Sequence, residues 1–216
     1  KFAIATFAQF DNKHSLKDKE YPKDTINYNL HFSKSKKSDN YFLNNYGQDG
    51  GCNEGPSYWR QAGGRLIEYV EALVELFDAK EYFKQVKLIK AIGDYVYKLH
   101  IERNWFVNFA DAVPVINYPP SLLAKYGLLF DDTAMKQFAA YMYQFHNKST
   151  YLEGVVSDIN EFWNFLQVRH VVETEKPVAP AFDYIWLPDV QVLTARSDQH
   201  AEPHLFLGAK FGNNCE

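Results

Sequence analysis

The sequence predicts a mainly α chain in which helical hairpins, of a kind that would suit a toroid, give way near residue 177 to short strands. Three observations predict it. Leu66, Val70, Leu73 and Phe77 recur at spacings of three and four while Glu68, Glu71 and Glu75 take another face, the period of a half-buried helix. The segment Pro177-Val178-Ala179-Pro180 ends the helical pattern, and beyond it Val190, Val192 and Thr194 alternate with Gln191 and Leu193, the period of a strand. Between an unpatterned beginning and the first helix stands a glycine-rich run, Asp49-Gly-Gly-Cys-Asn-Glu-Gly-Pro-Ser-Tyr-Trp59, which reads as a tight turn and a candidate site.

Taken in order, residues 1–38 follow a short apolar start, Phe2 to Phe7, with Asn, Asp, Lys and Ser and no period, so no element is assigned there. Asp39-Asn40-Tyr41-Phe42-Leu43 restores a helical pattern. A helix is expected from Ser57 to about residue 77. A second is expected over 80–101, with Tyr82, Val86, Ile89, Gly93, Val96 and His100 on one face and Lys84, Lys87, Lys90 and Lys98 on the wet side. The two should pair as an antiparallel hairpin. Asn104 to Pro120 reads as a long, mostly irregular connection carrying Asn108 and Asp111. Helices resume at 121–129, at 133–147 and at 158–168. Strands follow over Val190–Thr194 and Leu205–Ala209. Two or three strands cannot bury a sheet alone, so 177–216 reads as the opening of a second domain after a helical unit spanning 39–176.

Composition narrows the classes. The 216 residues carry a net charge of -4 and a mean hydropathy of -0.40, and no apolar run approaches the roughly 18 residues a membrane span needs. Residues 1–40 hold eight Lys against five acidic residues, but no nucleic-acid motif accompanies them, so a nucleic-acid partner is set aside. Cys52 and Cys215 match neither a disulfide framework nor a zinc spacing. The chain begins at Lys1 without a leader pattern, and the expectation is a mature product or a fragment. Aromatic residues make up 17% of the sequence, enough to build a Phe- and Tyr-rich core or to line a groove that stacks on sugar rings.

The Asp49–Trp59 run carries the chemistry. Gly50, Gly51 and Gly55 free the backbone, Pro56 fixes φ at a helix start, and Tyr58 and Trp59 follow on the first turn. A tight loop thus presents Glu54 and Tyr58 together. The bland alternative is an ordinary turn with Ser57 as cap and two core aromatics.

The run Asp49–Trp59, then Asn108-Phe-Ala-Asp-Ala112, then Leu187-Pro-Asp-Val-Gln-Val-Leu-Thr-Ala-Arg196, resembles successive landmarks of the heparinase II/III-like polysaccharide lyases in order and approximate spacing, over about residues 39–216. The resemblance implies an incomplete α/α toroid followed by the first strands of an antiparallel β-sandwich. It implies β-elimination at a uronic acid of an acidic polysaccharide, heparin- or alginate-like, and a periplasmic or extracellular location. Such chemistry must neutralise the uronate carboxylate, remove the C5 proton and protonate the departing O4. Tyr58 matches the family's catalytic tyrosine. A free phenol has a pKa of about 10, so as a base it needs cationic or hydrogen-bonding neighbours, and a helix N-terminus would help. Glu54 orients the loop, contacts sugar or phenol, or satisfies helix-start N–H groups; Asn108 and Asp111 line the groove or hold the loop; Trp59 stacks on a sugar or packs in the core.

The sequence also departs from that family. The upstream Asn or His that neutralises the uronate has no match in residues 1–38, where His14 and His31 read as surface histidines. The histidine-rich strand beyond Leu205–Phe211 is not reached, and His200 and His204 do not match it. No cofactor and no metal are assigned, although the family's sandwich holds a structural metal in some members. His100, His146 and His170 read as structural. The fragment is expected to be inactive alone. Two other readings stand beside the lyase: an α/α glycoside hydrolase drawing paired carboxylates from Asp49, Glu54 and Asp111, and a non-catalytic glycan-binding protein.

Overall fold

A computed structural model describes residues 46–145, 159–197 and 205–212; the segment 1–38, the pattern at 39–43, and His14, His31, His146, His200, His204 and Cys215 lie outside the described residues. The described chain is helix-rich with a small antiparallel sheet. A five-residue 3-10 helix over Pro56–Arg60 leads into α1 (Gly63–Phe77), α2 (Lys80–Lys84) and α3 (Lys87–Leu99). A short ribbon follows, β1 (His100–Glu102) paired antiparallel with β2 (Trp105–Phe106). Then come α4 (Pro120–Leu129), α5 (Thr133–Phe145), α6 (Ile159–Thr174) and a three-stranded sheet of β3 (Tyr184–Leu187), β4 (Val192–Arg196) and β5 (Phe206–Lys210) in that order.

Several expectations are redrawn. The helix expected from Ser57 is a 3-10 turn followed by α1, whose Leu66, Ile67, Val70 and Leu73 are buried while Phe77 stands 40% exposed. The single helix expected over 80–101 is two, broken where Val86 turns extended at ψ 91 to bury its side chain. Its far end also stops early, because His100 is extended and begins β1. The connection from Asn104 carries β2 and a bridge between Trp105 and Val115. α6 runs on to Thr174, where Val168, Val171 and Val172 are buried at helical spacing. β3 is a strand that alternation did not announce.

α4 is the hub. Pro120–Gly127 and Leu129 are all buried, and a helix covered on every side needs neighbours all round; α1, α5 and α6 supply them. Gly93 of α3 lets that helix close on α4, because a Cβ there would strike the Tyr126 ring. One charge sits inside. Lys125, 3% exposed, reaches Glu71 of α1 and, at 2.8 and 2.9 Å, the Asn164 and Gln167 side-chain oxygens of α6. Three helices thereby share one ammonium, which makes it a fixer of register more than a source of net stability.

β4 closes the open end of α3. The last carbonyls of a helix have no partner within it. Here Thr194 Oγ1 donates to Lys98 O at 3.2 Å, Val107 N donates to Leu99 O at 2.9 Å, and the Arg196 guanidinium donates to His100 O and Ile101 O. A cation at a helix C-terminus also suits the macrodipole. Arg196 is held in turn between the Phe182 and Phe206 rings, 4.4 and 5.1 Å from their centroids. The expected alternation holds for Val192 and Thr194, which face inward at 0% and 1% exposure, whereas Val190, expected on the same strand, is buried in the turn before it, where Gln191 takes φ 52. Tyr184, Trp186 and Leu207 face outward.

Candidate functional site

The glycine-rich run is a folded loop clasped from three directions. Gly47 N bonds Gly51 O at 2.9 Å and Gly50 N bonds Gly47 O at 3.0 Å, which closes a tight hairpin next to the Tyr46–Cys52 bridge. Gly50 has φ 81, and a Cβ there would meet the Ala91 carbonyl of α3; Gly55 has φ 85 and sits against Phe109 O and Ala112. Both positions therefore require glycine, for backbone sign and for space.

Asp49 belongs to the clasp. Its Oδ1 accepts from Gly51 N at 2.8 Å, and its Oδ2 accepts from Asp189 N at 2.8 Å and Val190 N at 3.4 Å. Asp189 answers by accepting from Gln48 N and Asp49 N. Two motifs 140 residues apart are thus joined by reciprocal carboxylates. The third joins them at Ser57, whose Oγ accepts from Val113 N at 2.8 Å instead of capping a helix.

Four buried tyrosines support the loop from below. Tyr95 donates to Cys52 O at 3.3 Å, Tyr118 donates to Pro56 O, Tyr126 donates to Gly63 O at 2.8 Å, and Tyr46 accepts from Gly63 N at 3.0 Å. Burial pushes all four phenols well above the ordinary tyrosine range, so they stay protonated, three as donors to backbone carbonyls and Tyr46 as an acceptor. Sequence reasoning did not single them out. The 17% aromatic content was the available signal, but nothing local distinguishes a phenol beneath a loop from one in an ordinary core.

Tyr58 differs from these four, being 38% exposed. It is the third residue of a five-residue 3-10 helix, not of an α-helix first turn, so the macrodipole assistance expected for it falls away. Glu54 is half-buried beside it in the loop, and Asn108 and Asp111 are exposed on the turn that packs on Gly55. Loop and turn are therefore brought together. Trp59 is not available to a sugar: it is 0% exposed, its indole N–H donates to Ile92 O at 2.6 Å, and its ring meets Tyr118 edge-on at 5.3 Å. The sugar-stacking role considered for Trp59 is corrected to core packing. Trp105, on the same connection as Asn108 and 51% exposed, was not singled out.

His100, expected on a helix face, is a fully buried residue at the α3–β1 junction, ringed by Phe106, Phe138 and Tyr141. Its Nε2 lies 2.9 Å from Arg103 O, and its Nδ1 has no partner among the described residues. Burial above all lowers its pKa to about 4, which suits a neutral imidazole donating from Nε2. The Cys52 thiol is free and buried, and burial raises its pKa, which makes it a poor nucleophile. Among the described residues there is no cluster of three or more His, Cys, Asp or Glu placed to hold a metal, and no helix long and apolar enough to cross a membrane. No protein-family model matches the chain, and no curated protein matches it.

Proposed function

We propose that the protein is a polysaccharide lyase of the heparinase II/III-like kind, built on an α/α toroid and the opening of a β-sandwich, that cleaves uronate-containing acidic polysaccharide by β-elimination outside the cytoplasm. The observation that carries this reading is the contrast among the phenols. Four tyrosines around the Asp49–Trp59 loop are buried, hydrogen-bonded and held protonated, while Tyr58 alone in that group reaches solvent from a loop too constrained to drift. A positioned, accessible phenol suits proton delivery to a departing sugar O4. Glu54 stands four residues before it, Asn108 and Asp111 lie on the turn packed against Gly55, and in this reading they would contact the sugars, while exposed Trp105 offers the flat face that Trp59 does not.

The hydrolase reading loses one of its carboxylates, since Asp49 commits both oxygens to backbone N–H groups. Tyr58→Phe in the intact protein should lower turnover, read as ultraviolet absorbance of the unsaturated uronate product, by roughly 10²–10⁴-fold with the urea midpoint unchanged. Full turnover in that variant removes Tyr58 from the mechanism. Saturated reducing ends without the ultraviolet product would favour a hydrolase, and binding without turnover a glycan-binding protein.

A further inference from the structure

We propose that Trp105 and Val115 form a platform on which one sugar ring of the substrate stacks, apart from the ring that reacts at Tyr58. A small ribbon builds it. β1 and β2 are joined through Arg103 and Asn104, and Arg103, at φ 50, is pinned to the helical body: its N–H donates to Tyr141 Oη at 3.1 Å, and its carbonyl lies 2.9 Å from His100 Nε2. The segment 113–116 then runs beside β2, with Phe106 N donating to Pro114 O at 2.8 Å and Ile116 N to Asn104 O at 2.9 Å. Between these two bonds Trp105 stands opposite Val115, the kind of pair whose side chains an antiparallel ladder brings closest. Phe106 and Ile116 are buried, so their neighbours Trp105 and Val115 turn outward, 51% and 44% exposed.

The other edge of the same segment carries the candidate site. Pro114 points its carbonyl at β2, and Val113, one residue earlier, points its N–H the opposite way, to Ser57 Oγ beside Tyr58. β2, the segment 113–116 and the 3-10 helix thus lie side by side. The backbones that carry Trp105 and Tyr58 are two strand spacings apart, roughly 10 Å, a span that one oligosaccharide bridges.

Size and border select the occupant. Trp105, Val113 and Val115 offer roughly 300 Å² of apolar surface, too little for a stable protein partner, which covers about 800 Å² per side. The border is polar: Glu102, opposite Trp105 on β1, and Arg103 are exposed, as are Asn108 and Asp111. A flat indole among such groups suits a pyranose, which offers C–H bonds to the ring and hydroxyls to the border. That the sugar belongs to the chain cut at Tyr58 rests on the lyase reading; the platform itself does not.

The test measures binding of two six-residue oligouronates, one prepared from alginate and one from heparin, to the intact protein carrying Tyr58→Phe so that cleavage does not intervene. At least one should bind, and adding Trp105→Ala should weaken it at least tenfold, for roughly 100 Å² of indole left uncovered. Trp105→Phe, which keeps a flat ring, should stay within about threefold, whereas Trp105→Leu, apolar but not flat, should resemble Trp105→Ala. Unweakened binding in Trp105→Ala or Trp105→Leu, or no binding of either hexamer, overturns the platform. In amide NMR spectra the hexamer should shift Trp105 and Val115 together with Ser57 and residue 58; shifts confined to the ribbon would overturn the claim that one chain spans both. Binding that depends on Trp105, with no ultraviolet product when Tyr58 is intact, would support the platform and sink the lyase reading alone.

Discussion

The helical body and the seam between α3 and the sheet are held by different physics. Inside the body Trp59, Tyr95, Ile92, Leu123 and Phe138 are fully buried and interlocked, and burial of that kind is non-directional and shared among many contacts. At the seam Leu187, Val190 and Val192 extend the same core, and pointed contacts are added to it: the Asp49–Asp189 pair, Thr194 on Lys98 O, and Arg196 on the carbonyls of His100 and Ile101. The body sets how much stability there is. The seam sets where the sheet lies against the Asp49–Trp59 loop, so damage there should alter geometry before it costs the fold.

The strongest test strikes the body. Trp59→Ala should cost about 3–5 kcal/mol in urea unfolding, the usual range for a large aromatic removed from a core, and should loosen body and sheet alike, because the indole also anchors Ile92 O. A loss under about 1 kcal/mol would mean that the site collapses around the cavity and that Trp59 is not the keystone its burial suggests.

How legible these regions were follows from the same contrast. The body was largely readable: Leu66, Val70 and Leu73, or Met135, Phe138 and Met142, repeat at helical spacing, and the structure buries them. Burial leaves a period in the sequence. The seam leaves none. Helix α3 ends at Leu99, where Thr194 of β4, nearly a hundred residues later, takes the Lys98 carbonyl and Val107 takes that of Leu99, and nothing near His100 announces that. The break at Val86 likewise lacks a Gly or Pro. Glycines 50 and 55 were readable as turn formers, since positive φ has a chemical signature. The role of Asp49 was not, because a carboxylate that ties a loop and one that handles a substrate look alike until their partners are seen.

A second test uses pH, and it strikes where body and seam meet. His100 has a pKa of about 4 in the fold against 6.5 when free. The unfolded chain therefore takes this proton first, and stability rises with pH wherever it does. The contribution is whole above about pH 6.5 and is lost as pH falls through the window to about 4, reaching up to about 3 kcal/mol. Arg196 and the rings of Phe106, Phe138 and Tyr141 face the imidazole, and no carboxylate is among these contacts to offset the charge. His100→Gln should flatten the difference between urea midpoints at pH 7 and pH 4.5. An unchanged slope in that variant would place the acid sensitivity elsewhere.

The mildest test separates the two regions most cleanly. Asp49→Ala removes the acceptor for Gly51 N, Asp189 N and Val190 N, bonds that water can partly replace because Asp49 is only half-buried and Asp189 is exposed, so the global cost should be only about 1–2 kcal/mol. Asp49→Asn should be no better. Both carboxylate oxygens accept backbone N–H groups, and an amide must turn its own NH₂ toward one of them. In hydrogen exchange, the amides of Asp189, Val190 and β4 should lose protection in either variant while those of α3 and α4 keep theirs, the signature of a local opening and not a global one. Uniform loss across α3, α4 and β4 would mean that the loop belongs to the body and that the seam has no separate existence. If the local opening is seen and the protein is the lyase proposed above, the same variants should also lower its turnover through displacement of the loop that carries Tyr58.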